Sequence, residues 1–244
     1  MRHRENLRHL PYEIDEKKDC NHFFEGHWKR VSLDLLKRHA GDLGGWTLLD
    51  YGCGRGETME YAAEAGMVPT GLDTDPVCVK LASRFGATSL LNPMVSTSSQ
   101  VGENSFDVVA CFHVLEHVDN PRETLRALAR AARKFVLLAV PNLQKIPNLR
   151  KPWAEPGRIN EGHLQSWDHA HFRNLAEVHC GLSLVSWGFD ATRVPVLSEL
   201  IHRTLGSQAA IKLETGLFRK LFPYWGVSVI GLWEPSKHAV DGAS

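Results

Sequence analysis

A short apolar run followed by alternating glycines constrains this chain more than any other feature. Thr47-Leu48-Leu49-Asp50-Tyr51 reads as a strand, and Gly52, Gly54 and Gly56 then alternate with Cys53 and Arg55 before a helical pattern begins near Glu57. Glycines at that spacing let the backbone turn tightly and let a ligand approach without Cβ atoms in the way. The order strand, glycine loop, helix is that of a nucleotide-cofactor crossover. No Gly-Lys-Ser/Thr follows, which removes a phosphate-binding P-loop. The spacing is G-x-G-x-G and not G-x-G-x-x-G, which weakens a dinucleotide fingerprint and, with it, a dehydrogenase.

The chain downstream alternates strand and helix patterns. Met67 to Leu72 reads as a second strand ending in Asp73, which lies 17 residues past the last loop glycine. A carboxylate there can accept both hydroxyls of a ribose. Asp75-Pro76 opens the next helix, with Asp as N-cap and Pro in the first turn. Residues 87–91 are a third strand, followed by a long Ser-rich loop to Asn104. Ser105 to Phe112 is a fourth strand leading into His113-Val114-Leu115-Glu116-His117. Asn120-Pro121 opens a helix through Arg133, with Leu125, Leu128 and Ala132 inward. Lys134 to Val140 is the continuous apolar run expected of a strand inside a parallel sheet. Leu143 to Trp167 is irregular, and a loop of that length in a compact domain is usually functional or mobile. Asp168 to Cys180 is a helix with Phe172, Leu175 and Val178 facing inward, and Leu182 to Phe189 and Gly226 to Trp233 are the last two strands.

The loop, Asp73 and SFDVVACFHVLEHVDNP occur in order at spacings that resemble the class I S-adenosylmethionine (SAM)-dependent methyltransferases, in particular the small-molecule subgroup with an FDvV…vLEHv-dP signature. The resemblance covers about residues 45–190. It implies an α/β Rossmann-like fold, a mostly parallel seven-stranded sheet with helices on both faces and the last strand antiparallel. It also implies SAM as cofactor, with Asp50, Gly52, Cys53, Gly54 and Gly56 on the methionine side and Asp73 on the ribose. Asn92 stands where relatives carry an acid for the adenine, and Phe112 and His113 line the adenine or methyl end. The acceptor expected from the resemblance is a hydroxyl or amine of a small or lipid-like metabolite.

Residues 1–44 form a tail and a helix packed on the core, with apolar positions Phe24, Trp28, Val31 and Leu35; His22, His27 and His39 read as polar-face residues. Tyr12 is an exposed aromatic on the tail or a cover for the cofactor. The domain spans 45–234 and residues 235–244 are a tail. Between the last two strands, where the fold normally has a hairpin, about residues 193–223 form an apolar, mildly basic insertion with helical patterns near Leu197–Leu205 and Ala209–Leu221. Packing on the sheet edge, a substrate pocket, a dimer contact and a peripheral membrane contact all suit it, and the oligomeric state stays open.

With 28 basic and 28 acidic side chains, no global field favours nucleic acid. Five scattered cysteines without C-x-x-C argue for a reducing compartment, and the polar N-terminus and lack of a long apolar run make the cytoplasm the expected location, with no transmembrane segment. Methyl transfer is an in-line displacement that needs a base when the acceptor is a hydroxyl. The candidates are His113, Glu116, His117 and His163. His113-x-x-Glu116-His117 also places potential metal ligands on one helical face, with His163, His169 or His171 to add another. The small-RNA 3′-end 2′-O-methyltransferases carry a similar E-x-x-E-H and a distant His. His113 replaces their first Glu and no basic surface accompanies it, so no metal is assigned. A metal-assisted RNA ribose methyltransferase and a non-catalytic SAM-binding partner subunit remain the competing readings.

Overall fold

The computed structural model describes residues 19–144, 146 and 161–236, with side chains from Lys29 onward. Tyr12, residues 147–160 of the irregular segment, the tail from residue 237 and the side chains of His22, Phe24, His27 and Trp28 lie outside the described residues. Helix α1 (Asp19–Ala40) precedes β1 (Thr47–Tyr51), α2 (Glu57–Glu64), β2 (Val68–Asp73), α3 (Pro76–Ala82) and β3 (Ala87–Leu90). A single-turn α4 (Thr97–Gln100) leads to β4 (Phe106–Phe112), α5 (Pro121–Ala131), β5 (Ala132–Pro141), α6 (His169–Asn174) and β6 (Leu182–Gly188). The insertion supplies α7 (Leu197–Leu205), α8 (Ser207–Leu213) and α9 (Arg219–Leu221) before β7 (Ser228–Pro235).

The strands form one sheet in the order β3-β2-β1-β4-β5-β7-β6. Pairs among β1 to β5 are parallel, and β7 runs antiparallel between β5 and β6. The chain leaves β1 toward one edge and returns at β4 on the other side. The carboxyl ends of β1 and β4 therefore flank the switch point, where open α/β sheets bind ligands. Alternation along β4 divides the core. Val108, Ala110 and Phe112 pack with Leu35 and Leu36 of α1, whereas Val109 and Cys111 pack with Leu125 and Leu128 of α5 and Phe172 of α6. At the opposite end, Asp107 accepts from Thr47 N and Oγ1 at 3.0 Å each and meets Arg133 and Lys134 at 3.3 Å. Partial burial opposes ionisation of Asp107, but these donors outweigh it and hold the carboxyl well below its usual range.

Two details depart from the sequence pattern. Helix α5 stops at Ala131 and passes directly into β5, because Asn104 N and Ser105 N bond to the carbonyls of Arg130 and Ala131 and pull the chain onto β4. After α6 the helix widens over Leu175–His179, so the buried positions fall at Phe172, Ala176 and Cys180, four apart. Val178, expected inside, is 69% exposed; a wider turn carries more residues and rotates it outward. The insertion is not simply laid on the sheet edge. Ile201, Ala210 and Phe218, with Val194, Ala209 and Leu213, make a small core of its own.

Phe172 is fully buried against Trp233, with ring centroids 6.1 Å apart. Phe172→Ala should cost about 3–5 kcal/mol in urea unfolding, whereas Val178→Ala should stay within about 0.5 kcal/mol. Equal losses at the two positions would contradict the widened turn.

Candidate active site

The glycine loop turns because Gly52, Gly54 and Gly56 all take positive φ, at 79°, 53° and 89°. Each has a different reason to lack a side chain. A Cβ on Gly52 would collide with Val114, and one on Gly56 would sit 2.9 Å from the Ala82 backbone. A Cβ on Gly54 meets nothing, so this residue faces open space at the carboxyl end of β1. Asp73 closes the cradle: its Oδ2 accepts from Gly54 N at 2.8 Å and its Oδ1 from Asp75 N at 2.9 Å. Each oxygen retains lone-pair capacity for a ribose hydroxyl.

Asp50 lies beneath this loop, fully buried. Burial pushes its carboxyl up to about 7, against the opposing pull of Lys29 and a hydrogen bond from Thr58. Its Oδ2 has no hydrogen-bond partner among the described residues. Lys29, on α1, reaches Glu57 at the start of α2 at 2.9 Å. Burial would raise the Glu57 carboxyl, but Lys29 outweighs it and the net shift is downward. An orphaned buried carboxylate oxygen under a glycine cradle suits a ligand that carries an amino group there. Lys29 escaped the sequence reading because its site partners lie beyond a turn and a strand, and no local pattern marks it.

Three residues expected at the cofactor also make contacts within the protein. The Cys53 side chain packs with Met59 and Ala82, and burial raises its thiol to about 12; only its backbone, donating to Leu72 O, belongs to the loop. Phe112 is buried in the core on the α1 side. Asn92 is exposed and turns its Oδ1 onto Met94 N at 3.0 Å, while Gln100 clamps its backbone.

The turn after β4 gathers the remaining candidates. Val114 rests on Gly52, which brings this turn against the glycine loop. His113 sits at φ 53°, a strained value for a non-glycine residue. Its Nε2 lies 3.2 Å from Ser228 Oγ and its Nδ1 3.3 Å from Glu116 Oε1. Both ring nitrogens thus face protein groups, which ties this turn to Ser228 and to Glu116. Behind Ser228, Asp190 accepts from the backbone N–H groups of Val227 and Ser228, and burial raises its carboxyl to about 6. Asn142, at the end of β5, donates to the carbonyls of Tyr224 and Gly226 at 3.0 Å. These two residues root the insertion, and through Ser228 it adjoins His113; nothing local in the sequence signals it.

Glu116, His117 and His163 converge, each offering one ligand atom within 4.8 Å of the others. Glu116 is fully buried, and its main-chain oxygen accepts from Leu164 N at 2.7 Å, which docks the returning end of the long segment. His117 Nδ1 lies 2.9 Å from Gly162 O, and the two imidazoles meet edge to face at 4.9 Å. Burial lowers the His163 pKa, with His117 and His113 adding to the effect against Glu116. His169 and His171 stay apart: His169 packs between Trp187 and Tyr224 with its pKa lowered to about 4 by burial, and His171 bonds Asp168 on the surface.

A family described as a methyltransferase domain matches residues 19–186. The chain belongs to it, and with the fold and the glycine cradle this makes it a class I SAM-dependent methyltransferase domain. Over 122 residues, 48% of this chain and 51% of the relative, it is 34% identical to Ubiquinone biosynthesis O-methyltransferase of Xanthomonas oryzae pv. oryzae. The chain thus spans about half the length of the curated relatives it matches. The fold resembles magnesium protoporphyrin IX methyltransferase of Synechocystis PCC 6803 with bound S-adenosylhomocysteine, at TM-score 0.56 and 20% identity over 86% of this chain and 84% of that one. It resembles the [4+2]-cyclase SpnF equally well, at TM-score 0.57 and 18% identity over 85% and 81%. Fold alone therefore does not decide the reaction.

The Asp50 proton gives a test of the cradle. Unfolded, this carboxyl loses its proton near the ordinary value of about 4, and folded near 7. Between those values the folded chain holds the extra proton, so the Asp50 contribution to stability falls as pH rises. A ligand ammonium favours the ionised form. S-adenosylhomocysteine should bind about tenfold more tightly at about pH 8 than at about pH 6, with proton release visible in calorimetry across buffers. Asp50→Asn should abolish that dependence; an unchanged slope would remove Asp50 from the site.

Proposed function

We propose that this chain transfers a methyl group from SAM to a hydroxyl of a small, ring-bearing or lipid-like metabolite. The observation that carries the reading is the convergence of Glu116, His117 and His163 on the turn that rests against the glycine loop. Bound there, SAM supplies an electrophilic methyl on a sulfonium. Gly54 and Asp73 would hold its adenosyl part and Asp50 its amino group. The enzyme's main task is then to hold the acceptor oxygen in line at close range. Burial lowers the His163 pKa, and the His117–His163 pair offers imidazole nitrogens where a hydroxyl must lose its proton. Such donors would serve a hydroxyl acceptor more than an amine, in keeping with the O-methyltransferase relatives.

The acceptor end is framed by the insertion. Its roots at Asp190, Asn142 and Ser228 lie beside His113, and Leu200, Leu205, Leu217 and Leu221 are exposed on its helices. An apolar acceptor, or one delivered from a membrane surface, suits that composition. No described helix is long and apolar enough to cross a membrane. Cys53, Cys78, Cys111 and Cys180 are free thiols, which supports a cytoplasmic setting.

Calorimetric titration with S-adenosylhomocysteine should show saturable binding that Asp73→Ala abolishes. Labelled SAM should then methylate phenolic or catechol probes in preference to primary amines. No binding by the unmodified protein, or transfer to amines alone, would overturn the reading.

A further inference from the structure

We propose that Glu116, His117 and His163 form a binding site for one divalent transition metal ion of the zinc or manganese class, placed to engage the acceptor oxygen. The inference deepens the methyltransferase reading and, for its catalytic role, rests on it.

Three observations point to a cation and not only to a packed turn. The first is the Glu116 carboxylate. It is fully buried, and neither oxygen makes a hydrogen bond among the described residues; the contact with His113 Nδ1, at 3.3 Å to Oε1, is an ion-pair contact without hydrogen-bond geometry. Burying a carboxylate without hydrogen bonds is costly, and such groups are normally paired or coordinated to a metal. The second is the tautomer of His117. A carbonyl oxygen can only accept, so the contact of Nδ1 with Gly162 O puts the proton on Nδ1. In the neutral ring Nε2 then carries its lone pair outward. A backbone carbonyl on the far nitrogen is the common support behind a metal-bound imidazole. The third is how the segment carrying His163 is fixed. The Leu164 N to Glu116 O bond at 2.7 Å fastens it to the residue that supplies the carboxylate. Side chains from two distant stretches of chain are thus brought together, with one ligand atom of each of the three residues within 4.8 Å of the others.

The donor set selects the ion. Two imidazoles and one carboxylate match three-protein-ligand sites with an open position, as in catalytic zinc centres, and suit manganese, iron or cobalt. Magnesium and calcium prefer all-oxygen surroundings. His113 is not a ligand in this arrangement: turned onto Glu116 and Ser228, it orients the carboxylate, which is why the histidine in the first position of H-x-x-E-H does not disqualify the site. An acceptor hydroxyl engaging the cation would ionise more readily. Its proton would pass to solvent, its oxygen lone pair would form the new O–C bond, and the C–S electron pair would return to sulfur as S-adenosylhomocysteine leaves.

The test uses the full, untagged chain stripped with EDTA and then freed of chelator. Calorimetry with Zn2+ alone, and electron paramagnetic resonance with Mn2+ alone, should each show one site per chain. His163→Ala and His117→Ala should weaken it at least about tenfold. His171→Ala, an exposed imidazole outside the cluster, should leave it unchanged. Glu116→Gln should behave like the histidine variants if it folds; the half-exposed His163 keeps the test decisive if it does not. Absence of a stoichiometric site, or a site indifferent to His163→Ala, overturns the proposal. S-adenosylhomocysteine binding is measured separately in EDTA, where it should persist. Methyl transfer that continues at full rate in EDTA overturns the metal and leaves the methyltransferase reading standing with direct proton transfer. Metal binding without S-adenosylhomocysteine binding sinks that reading and leaves the site.

Discussion

The hydrogen bond from Gly54 N to Asp73 Oδ2, at 2.8 Å, is the contact on which the rest of this molecule depends. It ties the end of β1 to the end of β2 across the point where the chain turns back over itself. The same carboxylate accepts from Asp75 N and so also sets the start of α3. Two strands, a loop and a helix are aligned by one side chain. The alignment requires Gly52 to let Val114 approach, which seats the 113–117 turn against the loop. The cradle and the 113–117 turn are consequently a single construction. The order of the sheet places that construction at its switch point, where neither neighbouring connection covers it.

The antiparallel end of the sheet carries a second clamp. Between β6 and β7 the chain builds a helical unit with its own small core instead of a hairpin. Such a unit could swing freely if it were attached only through its two strands. Asp190 and Asn142 prevent this by accepting from and donating to the backbone on either side of Gly226. A side chain at Gly226 would meet Asp190 Oδ1, so this clamp also fixes which residue can stand there. Through Ser228 the clamp reaches His113, and through His113 it reaches Glu116. The geometry of the 113–117 turn and the placement of the insertion are therefore coupled.

Much of this was legible in the sequence because it is local. Apolar runs gave the strands to within a residue or two, Asp75-Pro76 and Asn120-Pro121 marked helix starts, and the glycine loop with Asp73 located the cradle. What escaped is long-range. Lys29 stands beside Asp50 and Glu57 only because α1 packs on the sheet. Asp190 and Ser228 become meaningful only when β6 and β7 pair. Val178 failed because helical periodicity assumes a constant turn, and the turn widens after Asn174. The choice among His163, His169 and His171 was open for the same reason: three histidines within nine residues cannot be sorted without knowing that Trp187 and Tyr224 enclose one and Asp168 holds another.

Two buried carboxylates stand at the carboxyl ends of β1 and β4, and their surroundings differ. Asp50 sits under the glycine loop with one unsatisfied oxygen and a pKa raised by burial, although Lys29 and Thr58 already support it. A group in that condition is stabilised by any cation that docks beside it, and the amino group of the cofactor is such a cation. Glu116 sits under the imidazoles with neither oxygen hydrogen-bonded. Its neighbours there are His117, whose Nδ1 proton is taken by Gly162 O, and His163, and one nitrogen of each lies within 4.8 Å of the carboxylate. A buried carboxylate beside an imidazole lone pair is stabilised by an electron-poor group between them. The Asp50 end thus suits an ammonium, and the Glu116 end suits the metal ion proposed above.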